Sequence, residues 1–275
     1  MTIKESIASA AGRTILYEPI RDAYQFALNR EWWRRRKARE EFYRQFVHPY
    51  SLVFDIGANV GEYTRTFLTL GAWVLAVDPL PACAERLRCI PDKRLTVVQS
   101  AVGSALGKGT IHADKLSSLS SLSDGWLATA RETPRFQGCE WNQEISVPIT
   151  TLDALIATHG MPHFIKIDVE GYEAQVLEGL SIMPPYLSFE FQSEWIAAAL
   201  SCLEKPCFGG GAEFNYFFGE AFEGLVLDKW VTAEEMAAII VQTDFTAPSN
   251  KFGDIIARRG KAGSNESCAG VKNRK

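Results

Sequence analysis

The chain has 275 residues, 47% of them hydrophobic and 23% charged, and a formal net charge of -4 at pH 7. This length and composition are ordinary for a globular protein that buries a sizeable core. The negative balance gives no reason to expect a nucleic-acid partner, because phosphate binding needs a basic surface.

The six cysteines are scattered and form no C-x-x-C pair, which argues against a zinc site or a redox motif. We expect free thiols and a cytoplasmic location, since free cysteines are typical of reducing compartments. No uncharged apolar run approaches the roughly 20 residues of a membrane span. The first residues also lack the apolar core of a secretory signal. The sequence therefore predicts neither a transmembrane segment nor a signal peptide.

The N-terminal part of the chain is expected to be helical. Apolar side chains recur at helical spacing at Tyr17, Ile20, Tyr24, Leu28, Trp32, Phe42 and Phe46. We expect residues 1–49 to form a helical extension that lies on the body of the fold. The basic run 34–37 is close to several glutamates, which predicts a solvated face with ion pairs. Contact of this run with an anionic substrate or a membrane surface is the alternative.

From residue 51 onward, strand-like and helix-like segments alternate. The expected strands are SLVFDIG, AWVLAVD, LTVVQSAVG, FIKIDVE, YLSFEFQ and FGDIIARR, and the segment FNYFFGEAFEGLVLDKW is β-like. Unbroken runs of Val, Ile and Leu are typical of strands that are buried on both faces of a parallel sheet. Their alternation with helices implies right-handed crossovers and a doubly wound, Rossmann-like α/β fold. We expect one domain over residues 50–260 and a disordered tail over residues 261–275.

Residues 103–149 interrupt this alternation. GKGTIHA and EISVPIT resemble short added strands, and the serine-rich segment between them is not expected to form a regular core element. That segment either lines an acceptor pocket or is a flexible surface loop. The four serines considered for an acceptor pocket are Ser117, Ser118, Ser120 and Ser121. Beyond it, start signals at Thr150 and Thr232 predict two helices.

The first strand ends in an acid and a turn of small residues, VFDIGANVG, directly before a helix. In an open parallel sheet, ligands bind beyond the carboxyl ends of the strands. Gly57 and Gly61, with the small Ala58 between them, let the backbone approach a ligand closely. Asn59 tolerates a left-handed conformation. A carboxylate at Asp55 would repel a diphosphate but suits a cationic ammonium or sulfonium group, so S-adenosylmethionine is the expected ligand.

A second acid should then hold the ribose hydroxyls, about 20 residues further on, at the end of the next strand. Asp78 closes that strand at about this distance. The third strand ends at Ser100 and Ala101, small residues that can border the adenine. The alternative is that Asp55 and Asp78 each cap the helix that follows.

Four segments resemble the FkbM family of S-adenosylmethionine-dependent methyltransferases. They are VFDIGANVGEYT, VLAVDPLP, VQSAVG and VPITTLDALIATHGMPHFIKIDVEGYEAQVLEGL. The most specific part is FIKIDVEGYEAQVLEGL, and the resemblance extends over roughly residues 50–192. It implies a class I methyltransferase fold, which is a mostly parallel seven-stranded sheet whose last strand, here FGDIIARR, is antiparallel.

The same resemblance implies O-methylation of hydroxyl groups on sugars, glycolipids or polyketide products. It places the methionine part of the cofactor at Asp55, Gly57, Asn59 and Gly61. It places the ribose at Asp78. The N-terminal helices and the segment after about residue 200 lie outside the motifs, and we expect them to decide which acceptor is bound.

Methyl transfer to a hydroxyl needs a base, because a neutral hydroxyl is a poor nucleophile. KIDVEG places Lys166, Asp168 and Glu170 at alternate positions, which share one side of an extended strand. Glu190 is a further acid within the apolar run YLSFEFQ. We expect Asp168, Glu170 and Glu190 to be the catalytic residues. The alternative is that Lys166 forms an ion pair with Asp168 or Glu170.

Other roles are weighed for these and neighbouring residues. The three carboxylates could hold a divalent cation, although no metal belongs to the main prediction. His163 ranks low as a base, because it begins its strand at the end away from the chemistry. His48 lies before the first strand and could act only if the N-terminal helices fold over the site. Four tryptophans are expected to be packing residues, with stacking on a sugar as the alternative. They are Trp126, Trp141, Trp195 and Trp230.

We therefore expect an S-adenosylmethionine-dependent O-methyltransferase that acts on a small-molecule or glycan acceptor and has no nucleic-acid partner. The alternative is a protein of the same fold that binds an adenosine ligand or a partner and has lost catalysis. The acids of KIDVEG favour the enzyme, because a binding module has no use for a base. The sequence does not indicate an oligomeric state.

Overall fold

A computed structural model describes residues 30–113, 120–209, 211–247 and 251–260. Its main sheet has seven strands in the order β3-β2-β1-β7-β8-β10-β9. These strands are β1 (Leu52–Ile56), β2 (Trp73–Val77), β3 (Leu95–Val98), β7 (Phe164–Ile167), β8 (Tyr186–Gln192), β9 (Ala212–Phe218) and β10 (Phe252–Arg259). Strands β3, β2, β1, β7 and β8 run parallel to one another. Strand β10 is antiparallel to both β8 and β9. The expected class I methyltransferase fold is confirmed.

The central strands are buried on both faces, as their unbroken apolar runs predict. All four residues of β7 are buried, and so are the last four residues of both β1 and β2. Because β1 pairs with both β2 and β7, the carboxyl ends of these three strands meet at one edge of the sheet. Ligands of such sheets bind at this edge.

A second, three-stranded sheet has the order β4-β6-β5. Its strands are β4 (Ala101–Val102), β5 (Gly107–Ala113) and β6 (Gln143–Thr150). The two added strands are confirmed, but the single strand expected over LTVVQSAVG is wrong. The chain leaves the main sheet after Val98 and resumes as β4 beside β6, with Ser100 at the break. The Ser100 hydroxyl donates to the carbonyls of Ala101 and Pro148, which joins the two segments there.

Eight α-helices lie within the described residues. They are α1 (Arg30–Tyr43), α2 (Glu62–Thr69), α3 (Pro81–Arg88), α4 (Asp124–Glu132), α5 (Leu152–His159), α6 (Glu173–Glu178), α7 (Ile196–Leu203) and α8 (Ala233–Gln242). The start signal of α8 is confirmed, because Thr232 and Glu235 form a capping box. That of α5 is wrong by one residue, since Thr151 rather than Thr150 caps the helix by accepting from the Ala154 amide. Helix α4 was not expected; its buried side chains are Trp126, Leu127 and Ala130.

Helix α1 packs on one face of the main sheet. Phe42, Tyr43 and Phe46 are buried in one apolar cluster with Val53 of β1 and Phe164 of β7. The basic run carries ion pairs as predicted, including Arg35 with Glu31 and Glu220 and Arg36 with Glu40. The earlier part of the expected extension, before residue 30, lies outside the described residues, and so does the expected tail. Within the described residues, no helix combines the length and the apolar character that crossing a bilayer requires.

Candidate functional site

A cavity of ≈ 360 Å³ opens at the edge of the sheet where β1, β2 and β7 end. Most of the predicted site residues line it. They are Gly57, Ala58, Asn59, Asp78, Ser100, Ala101, Asp168 and Glu170. Three further predicted residues, Asp55, Gly61 and Glu190, are not part of its described lining.

The turn after β1 is held close to the ends of the two neighbouring strands. The amides of Gly57 and Ala58 both donate to the carbonyl of Val77, at 2.9 and 3.1 Å. Gly57 has a φ of 79°, and a Cβ atom there would lie 1.7 Å from the carbonyl oxygen of Asp168. Only glycine fits this position, because the backbone of the loop after β7 occupies the space that a side chain needs. The turn and the β7 loop therefore form one cavity wall.

Asp55 lies below the cavity rather than in its wall. Its side chain is buried and accepts a hydrogen bond of 2.5 Å from the hydroxyl of Thr64, in the first turn of α2. Burial raises the pKa of Asp55 to about 6, against the lowering effects of Thr64 and Lys166. The expected direct contact with a ligand has no support in this geometry, and the contact with Thr64 is not an N-cap either.

Asp78 is the acid that faces the cavity. One carboxylate oxygen accepts from the Asn59 amide and the other from the Leu80 amide, each at 2.9 Å. Burial raises the pKa of Asp78 to about 6, although both amides act in the opposite direction. Each oxygen still has a lone pair for a further donor. Asp78 thus joins the β1 turn to Leu80, and it can also accept from two vicinal hydroxyls. It is not the cap of α3, because Leu80 is the N-cap and the helix has no side-chain cap hydrogen bond.

The part of the cavity beyond Asp78 is apolar. Leu80, Ala101, Val102, Ile111 and Leu122 line it. A flat heteroaromatic ring fits such a lining, since it gains contact area and meets few polar groups. Ser100 offers its backbone there, because its hydroxyl already donates to two carbonyls.

The loop after β7 departs from the expected extended strand. The strand ends at Ile167, and Glu170 has a φ of 53°, which is rare for a residue with a side chain. The prediction that Lys166, Asp168 and Glu170 share one side of a strand is therefore wrong beyond Ile167. The alternative interpretation, an ion pair of Lys166 with Asp168 or Glu170, is found with Asp168 at 3.0 Å. Lys166 also pairs with Asp254, at 3.4 Å.

Three carboxylates nevertheless come together beside the cavity. One oxygen from each of Asp168, Glu170 and Glu190 lies within 4.8 Å of the others. The side-chain nitrogen of Gln192 donates to Glu190 at 2.8 Å and to Glu170 at 3.3 Å. Burial raises the pKa of Glu190 well above its usual range, and the charges of Asp168 and Glu170 raise it further. This environment favours the protonated form of Glu190.

Neighbouring elements hold the loop in place. The Ser121 hydroxyl donates to the carbonyl of Glu170 at 2.6 Å. The buried carboxylate of Glu173 accepts from the amides of Val169 and Gly171, at 3.1 and 3.2 Å. A Cβ atom on Gly171 would lie 2.5 Å from the ring of Trp126. The segment around α4 therefore packs against the carboxylates and fixes the backbone that carries Glu170.

Several cavity residues were missed by sequence reasoning. They are Glu62, Tyr63, Tyr172 and Glu220. Glu62 and Tyr63 directly follow the β1 turn, and this position in the sequence could have predicted that they line the cavity. Glu220 lies in a turn after β9 that carries no recognisable motif. Arg39 pairs with Glu62 at 3.1 Å, which attaches α1 to the cavity rim.

The other candidate residues lie elsewhere. The rings of His48 and His163 are 5.5 Å apart at the amino end of β7, away from the cavity, so neither can act as the base. Trp126 and Trp141 are buried in one cluster, as expected for packing residues, and Trp230 lies against Arg258. Of the four serines, Ser120 lines the cavity, whereas Ser117 and Ser118 lie outside the described residues.

Comparison with solved structures finds low-identity likenesses. A TehB-like SAM-dependent methyltransferase from Corynebacterium glutamicum is 10% identical, with a TM-score of 0.43, and the match covers 90% of this chain and 98% of that protein. An rRNA methylase from Streptococcus thermophilus is 8% identical, with a TM-score of 0.40 and coverage of 81% and 94%. A precorrin-6y C5,15-methyltransferase from Geobacter metallireducens is 11% identical, with a TM-score of 0.39 and coverage of 82% and 87%. At this identity, the likenesses say nothing about the acceptor.

No curated protein matches the chain. The model of the methyltransferase FkbM domain matches residues 55–195, which is just over half of the sequence. This range includes the β1 turn, Asp78 and the three clustered carboxylates. The protein therefore belongs to the FkbM family of methyltransferases and uses S-adenosylmethionine as its cofactor.

Proposed function

We propose that the protein transfers the methyl group to a hydroxyl of a sugar, glycolipid or polyketide-type acceptor. The observation that carries this proposal is the group of carboxylates at Asp168, Glu170 and Glu190, beside a cavity suited to the cofactor. Hydroxyl methylation needs a proton acceptor, and a carboxylate whose pKa is raised toward neutral is an effective one.

The cavity residues fit S-adenosylmethionine. In this proposal Asp78 accepts from the ribose hydroxyls, and the apolar residues beyond it hold the adenine. The nearly bare turn from Gly57 to Gly61 lies at the methionine part. Asp168 takes the place that the sequence assigned to Asp55, since Asp168 lines the cavity and Asp55 does not. The bound cofactor supplies an electrophilic methyl group on a sulfonium.

The chain supplies position and a base. Glu170 lines the cavity, and its carboxylate takes the proton of the acceptor hydroxyl as the oxygen attacks the methyl carbon. Glu190, held by the same amide of Gln192, lies close enough to Glu170 to share that proton. Asp168, fixed by Lys166, lies between this pair and the β1 turn. Holding the reactants in line contributes much of the expected rate.

The charge of the cavity favours an uncharged acceptor over a nucleic acid. Among its described lining residues, five are acidic and none is basic. The acids are Glu62, Asp78, Asp168, Glu170 and Glu220. A phosphodiester backbone would be repelled by this lining, whereas a polyol can donate to its carboxylates. A cytoplasmic location belongs to the same proposal, supported by the free thiols of the described cysteines.

The test is methyl transfer from labelled S-adenosylmethionine into extracts and into a panel of hydroxylated acceptors, with the product identified by mass spectrometry. We expect an O-methyl ether, and transfer should fall by about 100-fold or more in Glu170→Gln while cofactor binding is retained. A labelled product that carries the methyl group on nitrogen, carbon or RNA would contradict the proposal. Full activity of both Glu170→Gln and Glu190→Gln would place the base elsewhere.

A further inference from the structure

A buried group of charges lies under the cavity floor and takes no direct part in the proposed reaction. Lys166, in β7, is 1% exposed, and Asp254, in β10, is 5% exposed. The Lys166 ammonium lies 3.0 Å from Asp168 and 3.4 Å from Asp254, and it faces the ring of Tyr63 at 4.2 Å. Burying charged groups is costly unless they are paired, so this arrangement calls for an explanation.

The lysine is held in its charged form by its neighbours. Burial alone would lower the pKa of Lys166, but the carboxylates of Asp168 and Asp254 raise it well above its usual range. The same cation attracts Asp55, which is its register partner on β1. The single positive charge of Lys166 therefore lies among three carboxylates, those of Asp55, Asp168 and Asp254.

Other nearby groups do not restore neutrality. Arg39 is the next cation, but its guanidinium pairs with Glu62 at 3.1 Å and donates to Thr66 at 2.9 Å. Glu190 lies directly opposite Asp254 across β8 and β10, but burial favours its neutral form, and a carboxyl group supplies no positive charge there. The charge balance of the described residues around Asp168 is therefore negative.

We propose that Lys166 and Asp254 are positioning residues: Lys166 fixes the carboxylate of Asp168 toward the cavity, and Asp254 keeps Lys166 from neutralising it. Asp168 then carries uncompensated negative charge, for which the sulfonium of the cofactor is the missing cation. This inference rests on the proposed function, because it requires the methionine part to lie beside Asp168. It also gives the site a preference for the substrate form of the cofactor over the uncharged thioether that remains after transfer.

The test compares the dissociation constants of S-adenosylmethionine and S-adenosylhomocysteine by isothermal titration of the full chain. Asp254→Asn keeps the shape of the side chain but removes its charge, so Lys166 would neutralise Asp168. Removing one charge at this depth should lower the preference for S-adenosylmethionine by roughly tenfold. Asp254 does not line the cavity, so a merely structural role would weaken both ligands alike.

Two variants separate charge from packing. Tyr43→Phe removes a buried hydroxyl that has no hydrogen-bond partner among the described residues, and it should leave the preference unchanged. The double variant Lys166→Met with Asp254→Asn removes one charge of each sign, and it should return the preference toward the wild-type value. Neutral replacements of a buried pair are often tolerated, which makes this variant accessible.

If Asp254→Asn does not fold, the same ratio of dissociation constants can be measured in Asp55→Asn. It removes a buried charge while its side-chain oxygen can still accept from Thr64. An unchanged ratio of the two dissociation constants in a folded Asp254→Asn or Asp55→Asn protein would overturn the inference but leave the proposed function intact. Failure of the wild type to bind either ligand would instead contradict the proposed function itself.

Discussion

The indole nitrogen of Trp126 donates to the side-chain oxygen of Gln192 at 3.2 Å, and this contact decides which end of the amide faces the carboxylates. With its oxygen occupied, Gln192 presents its nitrogen to Glu190 and Glu170. Helix α4, which carries Trp126, is therefore coupled to the proposed base through one side chain. Helix α4, which the sequence did not predict, therefore supports the carboxylates of Glu170 and Glu190, which it did predict.

Replacing Gln192 by methionine should slow methyl transfer by about tenfold or more, because the carboxylates lose the donor that stabilises their ionised form. For the same reason, the pH profile of kcat should move to higher pH. The measurement is the rate of transfer between pH 5 and 9, with cofactor affinity as the control. A pH profile identical to that of the wild type would mean that Gln192 only fills space.

Asp78→Asn should weaken both S-adenosylmethionine and S-adenosylhomocysteine by at least about tenfold, the usual effect of losing a hydrogen bond to a charged group. Asp92→Asn is the matched control, because it alters an acid that pairs with Arg94 outside the cavity. Titration calorimetry of the two variants checks this. Equal affinities in Asp78→Asn and the wild type would remove Asp78 from the cofactor site.

Gly57→Ala should lower the free energy of unfolding by about 2 kcal/mol or more, since alanine is strained at positive φ and its Cβ would meet the carbonyl of Asp168. Gly107→Ala is the control, because nothing lies within 4 Å of the Cβ that it would add. Urea denaturation of both variants measures the difference. A Gly57→Ala protein as stable as Gly107→Ala would show that the β1 turn and the loop after β7 are not in contact.

Stability should depend on pH through Glu173, whose pKa burial raises to about 7. A raised pKa favours the protonated form in the folded state. Its stabilising effect is therefore complete below the ordinary value of about 4.5 and is lost as the pH rises through 7. Glu173→Gln should flatten the fall in unfolding free energy between pH 5 and 7, by up to about 3 kcal/mol.

The measurement for Glu173 is the urea midpoint at pH 5 and at pH 7. In the wild type, the buried Asp55 and Asp78 act in the same direction below pH 6, because burial raises both of their pKa values to about 6. Glu173→Gln should keep the part of the dependence that comes from Asp55 and Asp78. Identical pH dependence of the variant and the wild type would show that Glu173 is not buried as described.

The sequence was a good guide where local patterns decide the structure. Unbroken apolar runs predicted the parallel strands, and Asp78 follows the second of them as the spacing required. The same logic did not place Asp55 in the lining of the cavity, because a residue at the end of a strand points either into the cavity or below it. The pattern alone does not say which, and the hydroxyl of Thr64 decides it here.

Contacts between distant segments could not be predicted. Period-two alternation placed Glu170 on an extended strand, whereas its left-handed backbone is set by packing against Trp126 and Ser121. Asp254 reaches Lys166 from a strand that lies far along the chain. Asp254 is an acid within the apolar run FGDIIARR, just as Glu190 is within YLSFEFQ. This pattern indicates a paired or functional acid, but it was overlooked for Asp254.

The most direct test of the account is a crystal structure of the protein with S-adenosylhomocysteine. We expect the ribose hydroxyls within hydrogen-bond distance of Asp78, the adenine against Leu80 and Ala101, and the sulfur beside Asp168. A ligand bound in another part of the molecule, or a ribose that leaves Asp78 bonded only to the amides of Asn59 and Leu80, would contradict it.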